Sequence, residues 1–355
     1  MTTGTPVADA PAVRTSPGRR VLRLGPYSCR LATRPLLIAA VLVALLLVAF
    51  VITLTAGDLG LSPGETWAAL WGDGEARAVR SIQQRRTPRM LTAVGVGGCL
   101  AVSGALFQSL SRNALGSPDV IGFTTGAATA AVVQMVFFDR GLVATAVATV
   151  VGGLVTALVV YLLARRDGVT GGLRLVLVGI GTGAVLGAVT DFVIVRADIT
   201  DAATVQQWTS GSLTGRGWTH AVAVLLVAAV LVPVLAVLAR RVSVLELGDD
   251  VAAGLGIRVE RLRFATVVLA VLLVGIATAA TGPISFIALA APQIARRATR
   301  TPAIPVAASF LTGGLLLAVA DLLAQYVDVG LRTPVGLVTS LIGGVYLIWL
   351  LARRA

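Results

Sequence analysis

Long apolar runs alternate with short polar segments over most of this chain. A run of about 20 apolar residues is long enough to cross the roughly 30 Å hydrocarbon core of a bilayer as one helix. The pattern predicts ten membrane-spanning helices. They cover residues 36–56, 89–110, 118–138, 141–164, 173–195, 218–239, 264–281, 284–296, 303–326 and 334–352.

The eighth run, 284–296, is shorter than the others. It lies between Gly282-Pro283 on one side and Arg296-Arg297 on the other. A segment too short to span the bilayer leaves backbone groups unsatisfied if it faces lipid. We therefore expect a half-helix that neighbouring helices shield.

Composition supports the membrane assignment. Of the 355 residues, 56% are hydrophobic and 13% are charged, and the mean hydropathy is +0.90. Ordinary soluble domains carry about 25% charged residues, and a soluble protein this apolar would expose large patches. The fold class is therefore an all-α integral membrane protein, with residues 35–355 as one polytopic domain. Residues 1–34 are polar and rich in Arg and Pro, which predicts a disordered tail.

The formal net charge is +12, and the sequence contains Arg but no Lys. The arginines cluster between the apolar runs, so the excess of Arg in cytoplasmic loops explains them better than nucleic-acid binding does. We expect a multi-pass protein of the cytoplasmic membrane with both termini in the cytoplasm. The exception is the outer segment 57–88, which carries Arg77, Arg80, Arg85 and Arg86.

Motifs for catalysis are missing from the sequence. A P-loop requires a Lys on the phosphates, and one His (His220) with two Cys cannot build a standard zinc site. Ionisable residues within the spans are few, and Asp191, Arg196 and Asp321 lie near outer ends, which favours structural roles over ion coupling. We expect no enzymatic activity, no cofactor and no metal site. Energy for transport must then come from another polypeptide at the cytoplasmic surface.

The segment LGDDVAAGLGI at 247–257 is the best candidate for that surface. Asp249 and Asp250 suit the N-terminus of a helix, and Gly254 and Gly256 suit its end. The pattern predicts one short helix in a cytoplasmic loop at about 242–262. An ordinary solvated loop is the alternative.

Five stretches resemble the FecCD group of permeases, the membrane subunits of ABC importers for iron–siderophore complexes, haem and vitamin B12. The longest, RTPRMLTAVGVGGCLAVSGALFQSLSRNALGSPDVIGFTTGA at 86–127, is similar to the signature R-x-P-R…SGA…Q…RNPLxxP…G…GA. The others are WTSGSLTGRGW at 208–218, LGDDVAAGLGIRVERLR at 247–263, GPISFIALAAPQIARR at 282–297 and LRTPVGLVTSLIGGVYLIWLL at 331–351. The chain departs from the family at Ala114, Ala288 and Gln293, where members carry Pro, Gly and His.

The resemblance implies a fold of ten helices like that of the vitamin B12 importer permease, working as a dimer around one central pathway. It implies two copies of an ATPase subunit on the cytoplasmic side and a substrate-binding protein outside. The segment 247–257 then matches the family's coupling helices, which sit in a cleft of the ATPase. The coupling residues so implied are Gly248, Asp249, Asp250, Ala253, Leu255 and Gly256.

Docking of the binding protein has its own implied residues. The family's docking arginines match Arg86 and Arg89, which explains positive charge on the outside. Arg332 stands where many members carry an acidic residue, and we hypothesise that it adds docking charge. Anchoring of the second helix by these arginines is the alternative.

The substrate is suggested by GSPDVIGFTTGA at 116–127, which resembles the ferric-enterobactin branch of the family. This resemblance implies a ferric siderophore as cargo, a siderophore-binding lipoprotein outside and a second, different permease in a heterodimer. Cobalamin and haem importers remain alternatives, as does a stand-alone secondary transporter. The polar candidates for the pathway lining are Gln108, Asn113, Thr124, Thr125 and Gln134.

Overall fold

The computed structural model describes residues 19–24, 27–56, 60–138, 141–166, 169–326 and 333–352. Helices dominate these ranges. They are α1 (Thr33–Thr55), α2 (Pro63–Leu70), α3 (Ala76–Ser81), α4 (Thr87–Ser111), α5 (Phe123–Phe137), α6 (Gly141–Ala164), α7 (Gly172–Arg196), α8 (Ile199–Thr209), α9 (Trp218–Leu245), α10 (Asp249–Gly254), α11 (Val259–Thr281), α12 (Ile287–Thr299), α13 (Val306–Tyr326) and α14 (Val335–Ala352). A π-helical turn, Ile82–Arg86, joins α3 to α4.

Each of the ten predicted spans coincides with one of these helices. Within the described ranges, seven helical segments are long and apolar enough to cross a membrane by length and composition: α1, α3 continued through α4, α6, α7, α9, α11 and α13. Helices α5 and α14 are apolar but shorter. Helix α12 has 13 residues, of which nine are buried, as expected for a shielded half-helix. The fold is all-α and polytopic.

Helix α4 is the centre of the bundle. Of its 25 residues, 21 are buried, and α9, α11, α12 and α13 pack around it. Glycines make this close approach possible: a Cβ on Gly97 would lie 2.2 Å from the carbonyl oxygen of Gly313, and one on Gly104 would lie 1.7 Å from that of Ala288. Small residues bring helix backbones together where lipid provides no hydrophobic drive. Any larger side chain at these positions would push α13 or α12 away.

The apolar pattern did not reveal three short helices: α2 and α3, which precede α4, and α8, which follows α7. Helix α2 begins with a capping box, in which the Ser62 hydroxyl accepts from the Glu65 N–H and the Glu65 carboxylate accepts from the Ser62 N–H. Its Trp67 and Trp71 stack edge to face and are both exposed. Helix α8 has 11 residues and low hydrophobicity, so a search for long apolar runs passes over it.

Two small hairpins complete the described structure. Strand β1 (Arg19–Leu24) pairs antiparallel with β2 (Tyr27–Ala32), and β3 (Arg165–Arg166) pairs with β4 (Val169–Thr170). The first hairpin lies in the segment 1–34, for which the overall composition predicts disorder. Composition averaged over 1–34 hides two short segments with Val, Leu and Tyr, which favour strands. Residues 1–18 lie outside the described ranges.

Candidate functional sites

Two faces of the bundle are defined by the ends of α9. Trp218, its first residue, donates from Nε1 to the carbonyl oxygen of Gln83, 2.8 Å away, beside α2 and α3. Its last residue, Leu245, leads into α10. A helix of 28 residues is about 42 Å long, so these ends lie on opposite sides of a bilayer. We call them the α2 face and the α10 face.

Helix α10 confirms the predicted short helix at Asp249–Gly254. Gly248 precedes it with φ +119°, and Gly256 follows it with φ +79°. Both values lie where residues other than glycine are strained. Open space surrounds both glycines, so backbone conformation rather than crowding explains why glycine occupies these two positions.

Asp249 anchors α10 to the bundle through two arginines. Nη2 of Arg263 lies 3.0 Å from each carboxylate oxygen of Asp249, and Arg112 donates to the same carboxylate. Arg112 also donates from Nε to the carbonyl oxygen of Leu245 at 3.0 Å. The Arg263 side chain is only 2% exposed. These bonds tie the first turn of α10 to the end of α4 and the start of α11.

Glu260 extends this cluster to α6. Its carboxylate accepts from the Tyr161 hydroxyl at 2.7 Å, from the Thr170 hydroxyl at 3.0 Å and from the Thr170 N–H at 3.1 Å, and it also pairs with Arg263. Together Arg112, Asp249, Arg263 and Glu260 form what we call the inner ion cluster. The cluster connects α4, α6, α10 and α11 through charge-assisted bonds, which are about twice as strong as neutral ones.

The outer surface of α10 carries an unpaired apolar patch. Leu247, Val251 and Leu255 are 68%, 49% and 66% exposed. Of the predicted coupling residues, Asp250, Ala253, Leu255 and Gly256 are exposed, Gly248 is half-buried, and Asp249 points inward to the ion cluster. Sequence reasoning missed Leu247 and Val251. Val251 lies on α10 four residues before Leu255, a spacing that puts both side chains on one side of a helix, whereas Leu247 lies in the turn before Gly248.

The predicted docking arginines on the α2 face both donate inward. Arg89 makes two bonds to Asp321, from Nε at 2.9 Å and from Nη2 at 2.8 Å, and Gln325 adds a third bond to the same carboxylate at 2.8 Å. The Asp321 side chain is 4% exposed. Arg86 donates from Nη1 to the carbonyl oxygen of Leu54. These bonds commit both guanidinium groups to internal partners. Arg332 lies outside the described residues.

Exposed positive charge on the α2 face comes from other residues. Arg77, Arg80 and Arg85 are exposed around the end of α3 and the π-helical turn. The exposed pair Trp67 and Trp71 lies on the adjoining helix α2. These arginines belong to the Arg-rich segment 57–88 of the sequence, in which the family pattern points to Arg86 and to the following Arg89 instead.

The predicted pathway residues lie in different environments. Gln108 is buried, donates to the carbonyl oxygen of Leu289 at 3.0 Å and accepts from Gln293 at 2.7 Å. Asn113 accepts from the Leu115 N–H at 2.9 Å within its own turn. The Gln108–Gln293 pair joins α4 to α12, so it holds the half-helix in place. Gln293 stands where the family carries His, so its side-chain amide takes the place of the imidazole ring.

The three candidates on α5 are spread along that helix. Thr124 donates to Asp119 at 2.7 Å at its start, Thr125 is half-buried beside it, and Gln134 lies near its end. Within the described ranges, no group of three His, Cys, Asp or Glu side chains is placed to hold a metal ion.

Residues 45–353 match the family model of the FecCD transport family. The chain belongs to that family. The permease is 42% identical to the ferric enterobactin transport system permease protein of Escherichia coli, over 91% of this chain and 97% of that protein. It is 39% identical to the achromobactin transport system permease protein of Dickeya dadantii, over 87% and 89% of the two chains.

Among solved structures, the permease superimposes on an inward-facing conformation of a metal-chelate type ABC transporter. The TM-score is 0.79 at 26% identity, and the match covers 90% of this chain and 99% of the other. The family assignment and the helical architecture expected from the sequence are thereby confirmed. The permease is a transport subunit rather than an enzyme.

Proposed function

We propose that the permease is the membrane subunit of an ABC importer that moves a ferric siderophore into the cytoplasm. The observation that carries this proposal is the 42% identity, over nearly the whole chain, to a permease named for ferric enterobactin. The absence of Lys from the sequence supports a separate ATPase, because a P-loop requires one.

The α10 face is the proposed site of that ATPase. Leu247, Val251 and Leu255 form an apolar centre, and exposed Arg240 and Arg258 flank it. Interfaces commonly have such an apolar core within a polar rim. Movement of α10 passes through Asp249 into the inner ion cluster and from there into α4 and α11. This orientation makes the α10 face cytoplasmic and places both termini on that side.

The α2 face is the proposed site of the siderophore-binding lipoprotein. Arg77, Arg80 and Arg85 offer exposed charge to an acidic partner, and such charge mainly steers encounter and fixes orientation. Arg332 keeps its hypothesised place beside them. Since Arg89 is paired with Asp321, we assign it to holding α4 against α13.

A second permease is the proposed partner of α7. This helix is apolar enough to span a membrane, yet it exposes Asp191, Gly181 and Ala188. A carboxylate is costly against lipid, so this face suits protein or water. The resemblance to the enterobactin branch favours a different permease over a second copy, giving a heterodimer with two ATPase subunits.

Reconstitution tests the proposal. Liposomes carrying the permease, its partner permease and ATPase, with binding protein and ATP, are expected to accumulate iron-55 supplied as ferric enterobactin. Haem and cobalamin, offered in parallel, are expected to remain outside. Preferential uptake of haem or cobalamin would show that this compound, rather than a ferric siderophore, is the substrate. Uptake by the permease alone under an ion gradient would replace the ABC mechanism with secondary transport.

A further inference from the structure

A continuous apolar groove runs along the outside of the bundle between α6, α9 and α11. It consists of two cavities of about 370 and 420 Å³. Both are lined by Val150 and Ile276, so the cavities meet there. The groove begins at Thr219, the second residue of α9, and reaches Leu231.

The groove has the length of one leaflet. Thr219 and Leu231 are twelve positions apart, which corresponds to about 18 Å along a helix. Half of a hydrocarbon core of roughly 30 Å is about 15 Å. The groove therefore extends from the membrane surface at the α2 face to about the middle of the bilayer.

The walls of the groove indicate a hydrocarbon occupant. The ridges beside it are formed by Val143 and Val147 on α6 and by Leu226 and Val230 on α9, which are 73%, 56%, 62% and 63% exposed. Only aliphatic atoms face outward along these ridges. The exposed carboxylate of Asp191 makes α7 different, and that surface suits protein or water.

A polar pair closes the groove at the α2 face. His220 lines the groove, and its Nε2 lies 3.4 Å from Nη1 of Arg216. A guanidinium only donates hydrogen bonds, so Nε2 accepts and the ring proton is on Nδ1. That Nδ1 is buried and lacks a hydrogen-bond partner among the described residues. Protein atoms enclose this Nδ1, so Arg216 is the member of the pair that can bind an acceptor oxygen.

Arg216 adds positive charge without an internal counterion. Its Nε donates to the carbonyl oxygen of Ser212 at 3.2 Å, and in the described part of the chain it forms no salt bridge. The neighbouring Trp218 is 45% exposed and donates to Gln83. Tryptophan is enriched at the level of lipid headgroups. Arg216 and His220 therefore lie at the depth where phosphate and ester oxygens are found.

We propose that this groove is a binding site for one anionic glycerophospholipid. One acyl chain fills the groove between α6, α9 and α11, and the phosphate pairs with Arg216. The lipid occupies the leaflet at the α2 face. Its acyl chain fills the gap that the aliphatic walls leave, and its headgroup supplies the counterion that Arg216 lacks.

Native mass spectrometry of the full-length permease tests the headgroup. The protein is released from nanodiscs that contain equal amounts of phosphatidylglycerol and phosphatidylcholine. We expect one retained lipid per chain, with phosphatidylglycerol favoured about five-fold, as one Arg contact with an anionic lipid provides. Arg216→Gln is expected to reduce the preference to about one, and Arg300→Gln, at an exposed arginine just after α12, is expected to leave it unchanged. Equal retention of both lipids by the unmodified protein would overturn the proposal.

Groove occupancy has a separate test. Ala223→Phe fills the groove and is expected to abolish lipid retention, whereas Ala229→Phe, on the same helix but outside the groove, is expected to retain it. Photoactivatable phosphatidylglycerol with a diazirine on its acyl chain is expected to label 142–151 and 219–231 in the unmodified protein, so the result does not depend on a variant that folds poorly. Labelling confined to other helices, or recovery of a polypeptide in the groove, would refute it.

Discussion

Two aspartates at opposite faces of the permease both pair with arginine, but the two ion pairs have different surroundings. Asp321 on the α2 face accepts three bonds from Arg89 and Gln325, and its side chain is 4% exposed. Asp249 on the α10 face pairs with two arginines, and its side chain is 30% exposed. The carboxylate on the α2 face is buried within the bundle. The carboxylate on the α10 face belongs to a helix whose other side carries an exposed apolar patch. The first arrangement is a fixed brace between α4 and α13, and the second connects the bundle to a surface.

The enclosed pair should give the largest effect on stability. Asp321→Asn leaves the buried part of Arg89 without its counterion, and breaking a buried pair costs about 3–5 kcal/mol. We expect a large fall in the thermal unfolding midpoint, measured by tryptophan fluorescence in detergent. The double variant Arg89→Met with Asp321→Leu should recover most of the loss, because two apolar groups need no counterion. An unchanged midpoint in Asp321→Asn would mean that the pair is not a brace.

The inner ion cluster should give a smaller stability loss and a larger functional one. Asp249→Asn removes the charge shared by Arg112 and Arg263, while Glu260 still pairs with Arg263, so we expect a loss of about 2 kcal/mol. ATP hydrolysis by the assembled importer should continue while siderophore uptake falls about ten-fold. Asp250→Asn, on the exposed side of α10, is the matched control and should keep the stability of the unmodified protein. If the two variants have the same stability and the same uptake, Asp249 does not transmit movement from α10 to the bundle.

The contrast between the two aspartates also shows what the sequence reveals. Spans with long apolar runs were predictable because hydrocarbon thickness imposes length, and α10 was predictable from Asp249 and Gly256, whose cap preferences act locally. The Arg89–Asp321 bond joins residues 232 positions apart in the sequence, so no local sequence pattern predicts it. Family resemblance therefore predicts a docking role for Arg89 but not its pairing with Asp321.

Short amphipathic elements escaped prediction for a related reason. Helices α2 and α8 are too short and too polar to give an apolar run, although the Ser62 and Glu65 capping box was readable at the start of α2. The apolar patch of Leu247, Val251 and Leu255 was hidden because short helices are assigned by their caps rather than by their faces. The pathway candidates stay a prediction, because residue type does not reveal which side of a helix faces a channel.

The apolar patch on α10 allows a test at the surface itself. Leu255→Ser removes most of an exposed apolar side chain at the proposed ATPase interface, and such truncations cost about 1–2 kcal/mol, or roughly ten-fold in affinity. The affinity of the isolated ATPase for the permease, measured in nanodiscs, should fall by that factor. Leu163→Ser on α6 is a control of similar exposure, 62% against 66%. Should both variants bind the ATPase equally well, the patch has another partner.

The smallest expected effect lies on the α2 face, where charge should act on the rate of encounter. Reversing Arg77, Arg80 and Arg85 to Glu should slow association of the binding protein about ten-fold at low ionic strength, measured by surface plasmon resonance. The difference should vanish near 1 M salt, where the Debye length is about 3 Å. The same reversal at Arg241, Arg297 and Arg300, exposed on the α10 face, should leave association unchanged. If the first triple variant associates at the original rate, docking charge must reside in the predicted residues Arg86, Arg89 and Arg332. Arg89 is the weakest of these three candidates, because its guanidinium is already bound to Asp321.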